Sequence, residues 1–241
     1  MKLLFLGTGG GLEADRHASC LLVDGTVMVD CGPGALVQLR RAGRSPGDLE
    51  VLLVTHLHGD HTFGLPFLLT ERAVLPRSGR RLLVAGPAGL EAHARALMAL
   101  AFGEVDEALW ERCGVDWVVL EPGEHRLGNL RVEAFPMEHP VSALGYRLDG
   151  RLGVTGDTGW GPGVEALART PGALVVDWTS EKALPGHMGR EDMVHLQALV
   201  PPGTRIFAVH RTVGAPGTGR PEAPPEGLHV PQDLEEVDLA P

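Results

Sequence analysis

Histidine and aspartate side chains are concentrated in one short stretch, the hexapeptide His-Leu-His-Gly-Asp-His at residues 56–61. Neutral imidazole and carboxylate are the groups with which proteins bind zinc and related divalent ions. Residues 51–54, immediately before the stretch, are all apolar, which is typical of a strand buried on both faces. The cluster is therefore predicted to lie on the loop at the carboxyl end of a central strand, where α/β proteins place their chemistry. Side chains on opposite sides of that loop could supply ligands to two neighbouring metals.

Two metals need more than four ligands, and the second half of the chain offers further candidates at the ends of predicted strands. These candidates are His139 after a strand at 130–136, Asp157 after a strand at 151–155, and His210 after a strand at 205–209. Each residue follows a strand, as the first cluster does. All of them could therefore meet at one edge of the fold.

The order of the predicted elements indicates two β-sheets packed together. Strands followed by helices occur twice, and Asp24-Gly25 and Asp149-Gly150 are strong hairpin signals. We expect an α/β (α+β) fold, a four-layer αββα sandwich of two mixed sheets with helices on both outer faces, as one domain over residues 1–241. The predicted strands are 2–6, 19–23, 26–30, 51–54, 81–85, 116–120, 130–136, 143–148, 151–155, 173–178, 205–209 and part of 230–239, and the predicted helices are 35–42, one starting near 63, 86–100, 103–114, 164–169 and 190–199.

Three other features have plain structural interpretations. Residues 7–11 are rich in glycine but match no phosphate-binding motif, so a tight turn is expected there. His93 lies between polar neighbours on a predicted helix and is expected to be solvated. Residues 212–225 are rich in proline and glycine and are expected to form a surface loop.

Composition limits the class of protein. The chain has 241 residues, 44% of them hydrophobic, which suits a folded domain with a substantial core. No stretch approaches the ~20 apolar residues that span a bilayer. Three cysteines without Cys-x-x-Cys spacing argue against a disulfide framework, so we expect a cytoplasmic protein with no membrane partner. The net charge of −10 disfavours broad contact with nucleic acid.

The His-x-His-x-Asp-His string after a buried strand resembles the signature of the metallo-β-lactamase superfamily, and the later candidates match its later motifs in order. The resemblance implies the αββα fold and two divalent metal ions per chain, with zinc as the first choice and manganese or iron as alternatives. It implies that Asp30, which could otherwise cap a helix, supports the metal loop without binding a metal. It assigns His56, His58 and His139 to one metal, Asp60, His61 and His210 to the other, and Asp157 to both.

The segment from Asp177 to Gly189 resembles the phosphodiesterase branch of this superfamily, which has a histidine after the corresponding strand. That branch includes tRNA 3′-end-processing endonucleases and small cyclic- or ribosyl-phosphodiester hydrolases. The resemblance makes Asp60 and His187 the candidate catalytic residues. His187 would bind the phosphate and help the leaving group depart, assisted by the N-terminus of the helix predicted at 190–199. The alternative is a helix-capping or solvated loop histidine.

The function implied is that of a metal-dependent hydrolase that uses a hydroxide shared by two metals, acting as a phosphodiesterase on a small phosphodiester. The tRNA-processing members insert a long basic arm between the positions of His139 and Asp157. Here the gap is 157 − 139 = 18 positions, which a hairpin fills. Together with the negative net charge, this short gap predicts a small anionic substrate and no tRNA partner. A homodimer is a separate option for the assembly.

Two other classes of function stay open at this point. One is a thioester hydrolase of the glyoxalase II kind, although few basic residues follow His210. The other is a non-catalytic metal-binding or cofactor-handling protein on the same fold. The true β-lactamases and the oxygen-reducing di-iron members differ from this chain at individual ligand positions.

Overall fold

Two mixed β-sheets with helices on their outer faces form the structure, a computed structural model that describes residues 1–13, 15–74, 80–212 and 223–239. Within the described residues each sheet has seven strands. The first sheet contains β1 (Lys2–Gly7), β2 (Cys20–Val23), β3 (Val27–Val29), β4 (Val51–Leu53), β5 (Leu82–Gly86), β6 (Val115–Val119) and β14 (Glu235–Asp238). The second contains β7 (Gly123–Leu127), β8 (Leu130–Pro136), β9 (Leu144–Leu148), β10 (Leu152–Val154), β11 (Ala173–Asp177), β12 (Arg205–Val209) and β13 (Leu228–His229).

Helices cover the outer face of each sheet. On the first sheet they are α1 (Ala35–Arg41), α2 (Gly59–Thr62), α3 (Leu65–Val74), α4 (Leu90–Phe102) and α5 (Glu107–Cys113), with a 3₁₀ turn at Pro46–Asp48. On the second they are α6 (Pro162–Ala168) and α7 (Arg190–Leu199). The four-layer αββα sandwich is thus confirmed.

The strand order explains why both sheets are mixed. In the first sheet the order is β14-β1-β2-β3-β4-β5-β6, antiparallel as far as β3 and parallel from β3 to β6. In the second the order is β13-β12-β11-β10-β9-β8-β7, parallel as far as β10 and antiparallel from there to β7. The parallel strands occupy one side of each sheet, and the loops after three of them, β4, β10 and β12, hold candidate ligands.

Strand β4 shows how a continuous apolar run is buried on both of its faces. Val51 and Leu53 pack into the core between the two sheets, whereas Leu52 and Val54 face the helices. All four side chains are at most 3% exposed. A strand covered on both sides has no solvent face and needs no polar alternation. Its last residues can therefore place a loop firmly at the sheet edge.

Several boundaries differ from the sequence prediction for local reasons. The helix expected near residue 63 is two helices, α2 and α3, because Gly64 leaves the helical path and its N–H donates to the carbonyl of Cys31 at 2.8 Å. Helix α4 begins at Leu90, after a turn in which Gly89 has a φ of 91°. Strand β7 was not predicted, because it is a polar edge strand with mostly exposed side chains.

The short strand predicted within 230–239 is β14, and the structure has one further short strand, β13, just before that range. Strand β13 joins the second sheet and β14 joins the first, with Leu234 between them at a φ of 65°. The segment over 230–234 therefore passes from one sheet to the other. Of the predicted surface loop over 212–225, residues 213–222 lie outside the described residues.

Candidate metal centre

The loop after β4 carries the first group of candidate ligands and is fixed from the second sheet. The hydroxyl of Tyr146 donates to the carbonyl of Val54 at 2.6 Å, and the N–H of Leu144 donates to the carbonyl of Thr55 at 2.9 Å. Both contacts link β9 to the metal loop. The edge at which the two sheets meet is therefore the place where ligands from both halves of the chain converge.

The first cluster consists of His56, His58 and His139, whose candidate ligand atoms lie within 4.8 Å of one another. His139 Nε2 is 3.2 Å from His58 Nδ1, and the ring centroids of His56 and His139 are 4.6 Å apart. On its other side, His139 Nδ1 is 3.0 Å from the carbonyl of Gly186. This contact leaves Nε2 of His139 aimed at the other two rings.

The second cluster consists of Asp60, His61, Asp157 and His210, again with candidate ligand atoms within 4.8 Å. Asp60 and His61 lie on the short helix α2, while Asp157 and His210 follow strands β10 and β12. His210 Nε2 is 3.1 Å from Asp157 Oδ2 and 3.3 Å from Asp60 Oδ2. The structure thus brings together the residues that the sequence predicted for a second metal.

Asp157 touches both clusters. Its Oδ1 lies 3.3 Å from His61 Nε2, and its Oδ2 lies 3.8 Å from His56 Nε2. The carboxylate is 3% exposed. This position between the clusters is the one that a carboxylate shared by two metals would need.

Asp30 holds the metal loop from behind. Its Oδ1 accepts the N–H of Thr55 at 2.7 Å, and its Oδ2 lies 2.8 Å from His61 Nδ1. The N-cap position of α1 belongs to Gly34, so Asp30 is not a helix cap. The buried carboxylate orients the His61 ring and leaves Nε2 to face the second cluster, as such partners of metal-binding histidines do.

The donor atoms fit divalent ions. The Nε2 atoms of His56 and His61 are buried without a hydrogen-bond partner among the described residues, while Thr55 and Asp30 hold the two Nδ1 atoms. A buried polar atom without a partner costs free energy, and a bound ion is one explanation for it. Imidazole and carboxylate together suit zinc, manganese and iron. The residues at this edge therefore fit two ions, one in each cluster.

His56 in the first cluster and His210 in the second have opposite pKa shifts. Burial and the neighbouring His61 lower the pKa of His56 to about 2, so its ring is neutral and able to bind a metal. Burial also disfavours charge on His210, but the carboxylate of Asp157 and the hydrogen bond with Asp60 raise its pKa to about 9. The pKa of His61 is also raised, against the effect of burial, by Asp157 and Asp30. Metal binding at the second cluster must therefore displace protons.

His187 lies beside the two clusters and is held by a pair of residues that the sequence had not assigned. Asp177 Oδ2 is 2.9 Å from His187 Nδ1, and the hydroxyl of Thr179 is 3.1 Å from the same nitrogen. The Thr179 hydroxyl also donates to Asp177 Oδ1 at 2.6 Å and lies 2.9 Å from His210 Nδ1. Asp177 and Thr179 therefore orient both histidines at once.

The His187 ring stacks on His210 with centroids 5.2 Å apart and an interplanar angle of 9°. Its side chain is 21% exposed, while that of Asp177 is fully buried. Burial disfavours the charged ring, but the hydrogen bond to Asp177 raises the pKa of His187 overall. A partly exposed, orientated imidazole next to the clusters can donate a proton near neutral pH.

Three N–H groups at the N-terminus of α7 have partners within the chain, which weakens the expectation that this helix end binds an anion. The N–H of His187 donates to the carbonyl of Leu184 at 2.9 Å, and that of Arg190 donates to the carbonyl of Glu181 at 3.0 Å. The N–H of Gly189 donates to the carboxylate of Asp192 at 2.8 Å. The chain itself uses these donors, so any contact of His187 with a phosphate must come from its side chain.

His93 is not simply solvated, as its polar neighbours had suggested. Its Nε2 lies 2.9 Å from the hydroxyl of Thr62, which donates to the carbonyl of His58 at 2.8 Å. Partial burial lowers the pKa of His93. The residue thus braces the metal loop from α4. The sequence offers no local signal for this role, because the contact depends on how α4 packs.

The family model for the Beta-lactamase superfamily domain matches residues 25–210, and the chain belongs to this family. In sequence it is 34% identical over 157 residues to Ribonuclease BN of Erwinia tasmaniensis, and 34% identical over 160 residues to Ribonuclease BN of Escherichia coli O157:H7. These matches cover 62% of this chain and about half of each relative, 49% and 50% respectively.

Solved structures share the fold at lower identity. The short form of human tRNase Z aligns over 100% of both chains with a TM-score of 0.78 and 22% identity. A diphosphatase from the PhnP family aligns over 99% of this chain and 98% of its own with a TM-score of 0.75 and 19% identity. Zn²⁺-bound PqqB from Methylobacterium extorquens aligns over 99% of this chain and 100% of its own with a TM-score of 0.71 and 16% identity.

The family match confirms the predicted superfamily, and the solved structures share its αββα fold. The His and Asp clusters of this chain fit divalent ions. None of the helices among the described residues has the length and apolar character needed to cross a bilayer.

Proposed function

We propose that the protein is a phosphodiesterase that hydrolyses a small phosphodiester with the help of two divalent ions, zinc being the first choice. The observation that carries this proposal is the position of His187, held by Asp177 and stacked on His210 beside two metal-binding clusters that share Asp157. Metal ligands alone suit many hydrolases. A proton donor fixed next to them suits a reaction that expels a poor leaving group.

In this proposal His56, His58 and His139 hold one ion, Asp60, His61 and His210 hold the other, and Asp157 contacts both. When bound, two such ions activate a water molecule and neutralise charge on the substrate oxygens. The carboxylates of Asp60 and Asp157 would offset part of the positive charge of the ions.

His187 acts on the leaving group. Its Nδ1 is engaged by Asp177, which leaves Nε2 to donate a proton to the departing oxygen. Asp177 accepts the Nδ1 proton, stabilises the doubly protonated ring that this donation needs and leaves a neutral ring with its proton on Nδ1 afterwards. Thr179 donates to Asp177 and keeps it in place. Asp30 fixes the His61 ring, so the second cluster keeps its shape during turnover.

The segment between His139 and Asp157 supports a small substrate. Within that segment the chain forms only the tight hairpin of β9 and β10, turning at Asp149 and Gly150. The tRNA-processing members of the branch have a basic arm at this point. Together with the net charge of −10, the short hairpin supports a small substrate in preference to tRNA.

RNA remains the second candidate substrate, because the curated relatives are named Ribonuclease BN. The test is a panel of substrates offered to the protein with Zn²⁺ or with Mn²⁺. It contains bis(p-nitrophenyl) phosphate, a tRNA with a 3′ extension, a thioester and nitrocefin. We expect metal-dependent cleavage of the phosphodiester and little or none of the others.

The remaining outcomes of the panel point elsewhere. Cleavage of the tRNA at a higher kcat/KM than the small diester would reverse the choice of substrate. Preference for the thioester would favour hydrolysis of the glyoxalase II kind. Two bound metals without turnover of any substrate would favour a metal-binding or cofactor-handling role.

A further inference from the structure

The loop between β1 and β2 forms a wall of the second metal cluster. This glycine loop is defined here as residues 8–13 and 15–17. A methyl group placed on Gly11 would lie 2.9 Å from Cβ of Asp60, and one placed on Gly10 would overlap Oγ1 of Thr212 and lie 3.3 Å from Cε1 of His210. Both distances are shorter than ordinary van der Waals contact. The backbone of the glycine loop therefore packs directly on two candidate ligands, where a larger residue would displace them.

Asp60 depends on this wall more than the buried ligands do. Its side chain is 23% exposed, compared with 1% for His61 and 7% for His210. Among the described residues, the hydrogen bond with His210 is its only side-chain hydrogen bond. Contact with Gly11 therefore limits where the Asp60 carboxylate can move.

A single carboxylate, that of Asp233, holds both ends of the glycine loop. Its Oδ1 accepts the N–H of Thr8 at 3.0 Å and the hydroxyl of Thr8 at 2.8 Å. Its Oδ2 accepts the N–H of His17 at 2.7 Å. All three partners are donors, and the two oxygens of the carboxylate can accept from all of them at once.

Arg16 strengthens the same connection. Its Nη1 donates to the hydroxyl oxygen of Thr8 at 2.6 Å and to the carbonyl of Pro231 at 2.7 Å. Pro231 and Asp233 belong to the segment that crosses from β13 in the second sheet to β14 in the first. This crossing segment is thus bonded to the loop that contacts the metal cluster.

We propose that Asp233 is a positioning residue for the metal bound by Asp60 and His210. It fixes the glycine loop, and the loop in turn fixes the two ligands. The inference rests on the proposed dinuclear centre and adds to it a residue outside the region that the family model matches, residues 25–210. The site held by His56, His58 and His139 has no contact with the glycine loop among those described, so it should not depend on Asp233.

The test measures binding of Mn²⁺ alone to metal-depleted protein. The Asp233→Asn variant keeps the size of the side chain, but its amide nitrogen cannot accept, so Thr8 or His17 loses its partner. Asp238→Asn is the matched control, since it removes the same charge from the same end of the chain. Asp238 lies 3.9 Å from Lys2 and is not bonded to the glycine loop.

Two further variants, each lacking a ligand of one metal site, serve as backgrounds in which Mn²⁺ binding to the other site is measured alone. In His139→Ala the site of Asp60 and His210 remains, and in His210→Ala the site of His56, His58 and His139 remains. We expect Asp233→Asn to weaken Mn²⁺ binding about three- to tenfold in the first background, less than the ~10–100-fold typical of a group that touches a ligand directly. In the second background, and for Asp238→Asn in both, binding should stay the same.

Other outcomes overturn the inference. Unchanged binding for Asp233→Asn in the His139→Ala background would show that the loop does not position the ligands. Equal weakening in both backgrounds would show a general loosening of the fold. If circular dichroism shows that Asp233→Asn is unfolded, Thr8→Val takes its place with the same expected pattern. Failure of the unmodified protein to bind two Mn²⁺ would instead contradict the proposed function.

Discussion

Buried Asp177 contacts partly exposed His187 at the rim of the metal centre, with Oδ2 of the aspartate 2.9 Å from Nδ1 of the histidine. The aspartate is 1% exposed, so its charge acts on the ring with little screening by water. The pair places an orientated proton donor beside His210. The chemistry proposed for the site depends on this arrangement as much as on the metal ligands.

Asp177→Asn should lower turnover of an alkyl phosphodiester, whose alkoxide leaving group needs a proton, about 10–100-fold, as loss of an orienting partner usually does. It should also shift the pH profile. Asp177 raises the pKa of His187, so in the native protein the protonated donor persists to higher pH and activity falls as pH rises through that pKa. In the variant the fall should begin at lower pH. If the variant binds both metals and its activity falls over the same pH range as that of the native protein, His187 is not the titrating donor.

His187→Ala should keep both metals and the fold but lose about 10²–10⁴-fold in turnover of a phosphodiester, the usual contribution of general acid catalysis. Metal content and circular dichroism provide the first two readouts. His195→Ala is a suitable control, because His195 stacks on Trp160 with centroids 4.3 Å apart and belongs to none of the candidate metal groups. Loss of one metal in His187→Ala would place this residue among the ligands.

Asp157→Ala should abolish hydrolysis and weaken both metals, because the carboxylate lies 3.8 Å from His56 Nε2 in one cluster and 3.1 Å from His210 Nε2 in the other. Asp30→Ala should keep part of the activity, with a loss of about 10–100-fold, because Asp30 contacts His61 on the side away from the clusters. Metal content and turnover of the two variants should be compared directly. Two tightly held metals in Asp157→Ala would rule out a shared ligand.

Metal binding should strengthen as pH rises. The pKa of His210 is about 9 in the metal-free protein, so below that pH an ion must displace its proton. Each displaced proton makes the apparent affinity change about tenfold per pH unit. His56, with a pKa of about 2, is neutral at every working pH and adds no such dependence. Mn²⁺ titrations at about pH 6, 7 and 8 with a pH indicator test this, and equal affinities without proton release would contradict it.

The sequence predicted those parts of the site that depend on a local pattern, namely ligand residues that directly follow a strand. A buried run such as residues 51–54 can only end at a sheet edge, so the histidines after it had to lie there. The same argument placed His139, Asp157 and His210. Helix ends and polar edge strands were less predictable. Strand β7 has no apolar alternation, and the break between α2 and α3 depends on a hydrogen bond from Gly64 to Cys31.

The supporting residues could not be predicted, because their roles arise only from tertiary contacts. Thr179 looks like any threonine after a strand until the fold places it between His187 and His210. Thr8 and Asp233 are 225 positions apart, and no local pattern joins them. The glycine-rich stretch at 7–11, where a tight turn was expected, also forms part of the wall beside Asp60. The predictions of a single domain, a cytoplasmic location and a homodimer stay predictions.

The pairing of β1 with β14 joins Lys2 to Asp238, nearly the full length of the chain. Closing so large a loop is slow relative to forming the local hairpins, because chain entropy opposes it until the last strand docks. Until then the outer edge of β1 has open backbone donors and acceptors, which is the kind of edge that recruits strands from other molecules. A folding intermediate that lacks β14 would therefore be the species most prone to aggregate, and refolding yield should fall steeply with protein concentration.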